Sequence, residues 1–243
     1  MKKIYLKGVK GGTGATSIVA NLACALKKSN ENVIVIDLDP KSDLGLHLGL
    51  SWEHNTGWSN YTSLNAALAE FHCDNDGVIF LPFGSDTSRL SDLQTTIVDC
   101  EQLDVADNSW LLFDCPAHLD LEHFNLNADD IFLEVVNCDA ICHSFIYKRL
   151  LMLNQQTNQQ TSHWQHYFLV NRYNSASELE SDLLQLWQSE IPLLAPLYIN
   201  KDEVISESTA FRNVAVNCAP YSVANDDFET LAGWLVSRAN NHD

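Results

Sequence analysis

The chain has 243 residues, 46% of them hydrophobic, and carries 32 acidic side chains against 14 Lys and Arg, a formal net charge of -18. Ordinary apolar content at this length supports one sizeable core and excludes disorder as the main state. No stretch approaches the roughly 20 apolar residues that span a bilayer, and Lys2 and Lys3 precede too short an apolar run for a secretory signal.

In chain order, Lys3 to Val9 reads as a strand, a glycine-rich turn follows, and a helix is predicted from about Thr16 to Lys28. A second strand, Asn32 to Leu38, is almost wholly apolar, as a strand buried on both faces should be. Further strands are predicted at Val78 to Leu81, Trp110 to Phe113, Ile131 to Val136, His166 to Val170 and Leu194 to Ile199. Helices are predicted near Leu64 to Phe71, Ser88 to Leu103, Ala140 to Gln156, Ser177 to Ser189, Asp202 to Phe211 and Ser222 to Arg238. The Gln/Asn/Thr-rich patch from Asn154 to Ser162 reads as a solvated helix end or loop. Alternation of this kind over residues 1–243, with no linker and no internal repeat, predicts a single α/β domain with a mainly parallel central sheet flanked by helices.

Charge is unevenly placed. Residues 1–41 hold seven lysines and three acids, whereas residues 42–147 hold eighteen acids and one basic residue, Arg89. Such a field repels nucleic acid and anionic lipid over most of the surface and assigns an anionic ligand to the N-terminal segment. The C-terminal stretch from Phe228 to Asp243 has a single basic residue, Arg238, so autonomous membrane binding through it is not expected.

The seven cysteines are scattered and odd in number, with no C-x-x-C pair, which reads as reduced thiols in the cytoplasm. Cys138-Asp-Ala-Ile-Cys142-His143 could be a partial metal site or a packed helix start with small apolar thiols. The residues favour packing, because zinc wants further ligands that the spacing does not supply.

Chemistry concentrates in Lys10-Gly11-Gly12-Thr13-Gly14-Ala15-Thr16-Ser17, between the first strand and the first helix. Glycines let a backbone wrap a phosphate chain with its N–H groups inward. The helix start adds partial positive charge, and a hydroxyl at Thr16 can ligate Mg²⁺. Asp37 and Asp114 end apolar strands, where hard-cation ligands collect in open parallel sheets. Asn171, also at a strand end, offers a donor and an acceptor together, the pairing an adenine edge needs.

These motifs, in this order, resemble the MinD/ParA class of P-loop ATPases with its deviant phosphate loop. Asp37-Leu38-Asp39-Pro40 is similar to that class's switch I, Asp114-Cys115-Pro116 to its switch II, and Phe168 to Tyr173 to its base-reading strand. The resemblance implies a P-loop NTPase fold and ATP with Mg²⁺ as ligands. It implies phosphate and base contacts from Lys10 to Ser17, Asn171 and Arg172, with metal ligation through Thr16, Asp37 and Asp114. Asp39 would orient the attacking water, and Lys10 would reach the phosphates of a partner subunit in an ATP-sandwich homodimer.

Two departures bear on turnover. Ala15 stands where the general phosphate-loop lysine is expected, and Val9 where a glycine usually opens the loop. Loss of a charge-assisted bond to the β/γ-phosphates costs about 1.5–3 kcal/mol, or roughly 10- to 100-fold in affinity. Binding survives that loss better than phosphoryl transfer, which rests on positioned positive charge.

Within the class, Leu81-Pro82-Phe83-Gly84, Asn137-Cys138-Asp139-Ala140-Ile141-Cys142-His143 and Lys201-Asp202-Glu203 resemble the BcsQ group, cytosolic ATPase-like components of bacterial cellulose secretion, which also lack the lysine. That resemblance implies ATP binding, dimerisation, a small BcsR-like partner, and recruitment to the cytosolic face of the inner membrane at the cellulose synthase. Three readings remain open: a nucleotide switch with slow or absent hydrolysis, a cycling ATPase using Asp39 and Lys10, and a non-hydrolysing scaffold.

Overall fold

Alternating side chains on short apolar strands divide between two layers, and this division builds the core. The computed structural model describes residues 1–70, 77–92, 100, 103–119, 126–156 and 164–240. In these, Ile4, Leu6, Val33, Val35 and Leu112 face one layer, while Tyr5, Ile34, Ile36, Leu111 and Phe113 face the other. The period-2 geometry of a pleated strand requires this outcome when both faces are covered. Tyr5 and Phe113 stack with ring centroids 4.7 Å apart inside the second layer.

The strands are β1 (Lys2–Gly8), β2 (Val33–Asp37), β3 (Ile79–Leu81), β4 (Trp110–Cys115), β5 (Ile131–Val136), β6 (Gln165–Tyr173) and β7 (Leu194–Asn200). They form one sheet in the order β3-β2-β4-β1-β5-β6-β7, and every pairing is parallel. The helices are α1 (Ala15–Lys28), α2 (Leu44–His47), α3 (Leu64–Glu70), α4 (Ala140–Gln156), α5 (Glu178–Glu190), α6 (Glu203–Ala210), α7 (Ala215–Cys218) and α8 (Val223–Asn240). Helices α1, α7 and α8 cover one face, and α4 and α5 close a third apolar cluster beneath β6. Among the described residues no helix is long and apolar enough to cross a membrane.

Every strand expected from the sequence is present, with ends moved by at most two residues except at β6, which runs three residues past Val170 to Tyr173. The expected helix starts Ser177 and Asp202 are N-caps instead, accepting hydrogen bonds from the backbone of Glu180 and Val204. The helix expected over Ser88 to Leu103 is replaced at its start by a 3₁₀ segment, Thr87–Asp92; residues 93–99 and 101–102 lie outside the described residues. So do Phe71, Cys73, and 157–163 of the Gln/Asn-rich patch. The short α2 and α7 carry too little periodicity to be read in advance.

Candidate nucleotide site

A sheet with its strand order reversing around β1 leaves a crevice at the carboxyl ends of β1, β2 and β4. Into it runs the loop after β1. Gly12 and Gly14 have φ of 83° and 88°, the left-handed region that glycine enters without strain. Gly14 is the N-cap of α1 and supplies no side-chain cap, and the first turn of α1 contains no acid. The helix therefore presents its opening N–H groups and positive end to the crevice. Val9 removes the usual opening glycine, but Gly8 makes the close approach in its place: a Cβ there would collide with the Thr13 side chain and the Lys10 carbonyl.

The loop is held from β6. Asn171, buried, donates its Nδ2 to the Thr13 carbonyl at 2.7 Å, and Arg172 donates an Nη1 hydrogen to the Gly12 carbonyl at 2.9 Å. Asn137, at the end of β5, donates to the Asn171 carbonyl at 3.0 Å. Asn171 thus spends its amide donor on the loop, an anchoring job that the sequence pattern did not disclose.

Asp37 and Asp114 are register partners on adjacent parallel strands, so their carboxyl groups emerge at the same level. Both are buried, at 0% and 2% exposure. Burial first, then the nearby Asp114 charge, pushes Asp37 well above the usual carboxylate range; burial pushes Asp114 up to about 7, against a restraining hydrogen bond from Thr16. Asp37 Oδ1 accepts the Asp39 N–H at 2.9 Å, but Oδ2 has no hydrogen-bond partner among the described residues. Two crowded carboxylates, an orphaned buried oxygen and a threonine hydroxyl are a hard-oxygen donor set, and they fit Mg²⁺. Trp58 fixes the end of β2 from below, its indole N–H donating to the Asp37 carbonyl at 2.7 Å. The Leu81 to Gly84 segment holds Trp58 in turn: the Pro82 carbonyl accepts its backbone N–H and the Phe83 ring packs edge-on against it.

Lys10 does not point into the phosphate loop. Its ammonium donates to Asp139 Oδ2 at 2.7 Å, with both side chains partly exposed. The Asp139 bond raises the Lys10 pKa; burial pushes Asp139 up, but the Lys10 and Cys142 hydrogen bonds outweigh it and leave Asp139 lowered. Asp139 also caps α4 through the Cys142 N–H. Cys142 and His143 are therefore parts of a helix start: His143 Nδ1 accepts the Trp187 indole N–H at 3.0 Å.

Two clefts meet across this region. One, of about 480 Å³, is lined by the whole loop from Lys10 to Thr16 together with Asp39 and Asp114. The other, of about 740 Å³, lies between α1 and α6 and is lined by Ser17, Asn171, Lys201, Asp202 and Glu203. His47 and Arg172 line both. His47, unnoticed in the sequence because α2 is so short, bonds Thr209 at 3.0 Å and lies 3.5 Å from the Ser17 hydroxyl. Burial lowers its pKa to about 4, so it bridges α1 and α6 as a neutral imidazole. The glycine-loop cleft, the buried acid pair and the larger cavity thus adjoin, with Ser17 in the lining of the larger cavity and not of the loop cleft.

The family model described as "Cellulose biosynthesis protein BcsQ" matches residues 1–236. The chain belongs to the BcsQ family. The BcsQ of Escherichia coli K12 is 29% identical over 255 residues, spanning 97% of this chain and 94% of that protein. Among solved structures, the septum site-determining protein MinD of Pyrococcus horikoshii, complexed with Mg-ADP, superimposes with a TM-score of 0.72 at 23% identity, covering 97% of this chain and 96% of its own. A cobyrinic acid a,c-diamide synthase from Mycobacterium smegmatis, with bound ATP analog and magnesium, reaches 0.72 at 18% identity, with 100% and 97% covered. This BcsQ family member thus has the MinD/ParA P-loop fold expected from its motifs.

Proposed function

We propose that the chain is a nucleotide-gated assembly factor of cellulose biosynthesis: it binds ATP with Mg²⁺ and, so loaded, pairs with a second copy to present a surface to its partners. The observation that carries this reading is the Asp37–Asp114 pair, buried, like-charged and short of a partner, beside the glycine loop and Thr16. Family membership supports the pathway, since the matching relatives are named for cellulose biosynthesis.

Thr16, Asp37 and Asp114 would hold the cation, and Gly11 to Thr16 would cradle the phosphates with Arg172 beside them. The base would enter the cleft between α1 and α6, beside Asn171. Bound Mg²⁺ would neutralise the acid pair and charge on the β/γ-phosphates. Asp39 lines the phosphate cleft, positioned to orient a water. With Ala15 in the lysine position, turnover is slow or absent in the isolated chain. For Lys10 to reach a partner's phosphates it must first leave Asp139. A small BcsR-like protein and the inner-membrane cellulose synthase are the partners this reading assigns, with the chain recruited from the cytoplasm rather than binding membrane itself.

Calorimetry with ATP and Mg²⁺ tests the site. Binding by the native chain, weakened about tenfold in Thr16→Ala by loss of one ligand, supports it; no binding by the native chain refutes it. Sedimentation then separates the roles. Dimers with ATP but not ADP support the switch, phosphate release lost in Asp39→Ala indicates a cycling ATPase, and dimerisation indifferent to nucleotide indicates a scaffold.

A further inference from the structure

Removing the phosphate-loop lysine leaves an electrostatic gap. A triphosphate carries several negative charges, and loop N–H groups and a helix end supply only partial positive charge. Among the described residues, few cations are placed to fill it. Lys7 is buried and donates to the Leu119 carbonyl near Glu134, away from the loop. Lys10 is bonded to Asp139. Lys41 lines the phosphate cleft from switch I, on an exposed and untethered side chain. Arg172 remains.

Its position is unusual in three ways. The β6–β7 register shifts between Val170 and Tyr173, and within that irregularity Arg172 takes φ 56°, a left-handed conformation that a side chain of its size rarely adopts. That twist directs the side chain across the phosphate loop, where Nη1 bonds the Gly12 carbonyl at 2.9 Å. A Cβ built on Gly14 would lie 3.6 Å from both Nε and Nη2, so the guanidinium is stacked along the loop one residue before Ala15. One N–H is occupied; the planar group keeps further donors and a charge that no accessible pH removes. It forms no ion pair among the described residues, and it borders both clefts at their junction.

We propose that Arg172 is the intramolecular substitute for the missing phosphate-loop lysine: its guanidinium, delivered from β6, neutralises the nucleotide's polyphosphate in the same chain. Loading with nucleotide would then not depend on Lys10 of a second copy, and ATP binding would precede dimerisation. The proposal rests on the nucleotide reading above and gives Arg172 a specific charge-replacing role in it.

Displacement of a fluorescent ATP analogue by ATP, ADP and AMP, with Mg²⁺ present, tests it. Arg172→Gln is expected to weaken ATP binding about 10- to 100-fold, the worth of a charge-assisted bond, with the loss shrinking from ATP to AMP. Arg172→Lys keeps the charge and is expected to retain most of the affinity. Placing the lysine back, Ala15→Lys in the Arg172→Gln background, is expected to restore ATP binding, a rescue that a merely structural role for Arg172 would not show. Lys41→Gln, which removes an exposed cation from the same cleft, is expected to lose less ATP affinity than Arg172→Gln. An equal loss for all three nucleotides would assign Arg172 to the base and overturn the proposal, as would native affinity in Arg172→Gln or a collapse confined to Lys41→Gln. A native chain that binds no nucleotide would instead overturn the underlying reading.

Discussion

Two buried carboxylate settings lie a few strands apart in this sheet, and they are opposites. On β5, Glu134 is 1% exposed and fully served: Arg149 binds it with two bonds of 3.0 and 2.9 Å, and His166 binds it at 3.0 Å. Burial alone would raise its pKa, but the His166 and Arg149 bonds outweigh burial and hold it at about 2. On β2 and β4, Asp37 and Asp114 are equally buried, pair in register with no ion pair among the described residues, and are both raised. Burial is the same in both places; only the compensation differs. A charge that the protein itself neutralises is architecture, whereas a charge left wanting is a place for a ligand.

The largest expected effect comes from breaking the satisfied setting. Arg149→Ala leaves Glu134 buried with its bidentate partner gone, and should cost about 3–5 kcal/mol in urea unfolding at neutral pH. A cost near zero would mean that His166 and Lys7 suffice, and the contrast between the two settings would be weaker than the geometry suggests.

The unsatisfied setting should respond with the opposite sign. Asp114 keeps a proton up to about pH 7 in the folded chain, while the unfolded carboxyl releases it near its ordinary value of 3.8. The folded state therefore binds more protons between those limits, and ligand-free stability should fall as pH rises from about 4 to about 7. Asp114→Asn should remove that contribution and stabilise the ligand-free chain by about 2–4 kcal/mol at pH 8. On the proposed reading Mg²⁺ and ATP stabilise the native chain, and the same variant should lose that effect. Thermal unfolding across pH, with and without ligand, reads both effects; a variant less stable than native at pH 8 would contradict the assignment.

How far the sequence revealed this contrast depends on the kind of signal. Strand identities, the glycine loop and the acids at strand ends are local patterns, and all were legible. The partners of Glu134 were not: Arg149 and His166 are 15 and 32 residues away, joined only by strand register and by the return of α4 across the sheet. His47 sits on a helix of four residues, too short for periodicity to announce. Lys10 stood out at the head of the glycine loop, but its bond to Asp139, 129 residues on, belongs to tertiary structure. The Leu81 to Gly84 segment was legible as a mark of kinship and not as the clasp that seats Trp58.

That clasp gives a smaller, sharper test of what supports the acid pair. Trp58→Phe keeps the ring against Phe83 but removes the indole N–H that bonds the Asp37 carbonyl. A buried acceptor left unpaired costs about 1–3 kcal/mol. If the bond also positions the carboxylate, Mg²⁺-dependent ATP affinity should fall by more than the affinity measured without the metal. Equal loss in the two conditions would make Trp58 a matter of stability alone.

The smallest effect on stability, and the one that says most about assembly, belongs to the Lys10–Asp139 pair. It is a partly exposed bridge at the mouth of the site, and pairs of this kind contribute at most about 1 kcal/mol. Asp139→Asn retains a group able to cap α4 while weakening the hold on Lys10, so unfolding should shift by under about 1 kcal/mol. Dimerisation with ATP should strengthen if release of Lys10 opposes pairing, because the native chain must break this bond first and the variant need not. Sedimentation at several protein concentrations measures that shift. Weaker dimers in Asp139→Asn would show instead that Asp139 steers Lys10 toward the partner, and the pair would then be part of the assembled interface rather than a restraint on it.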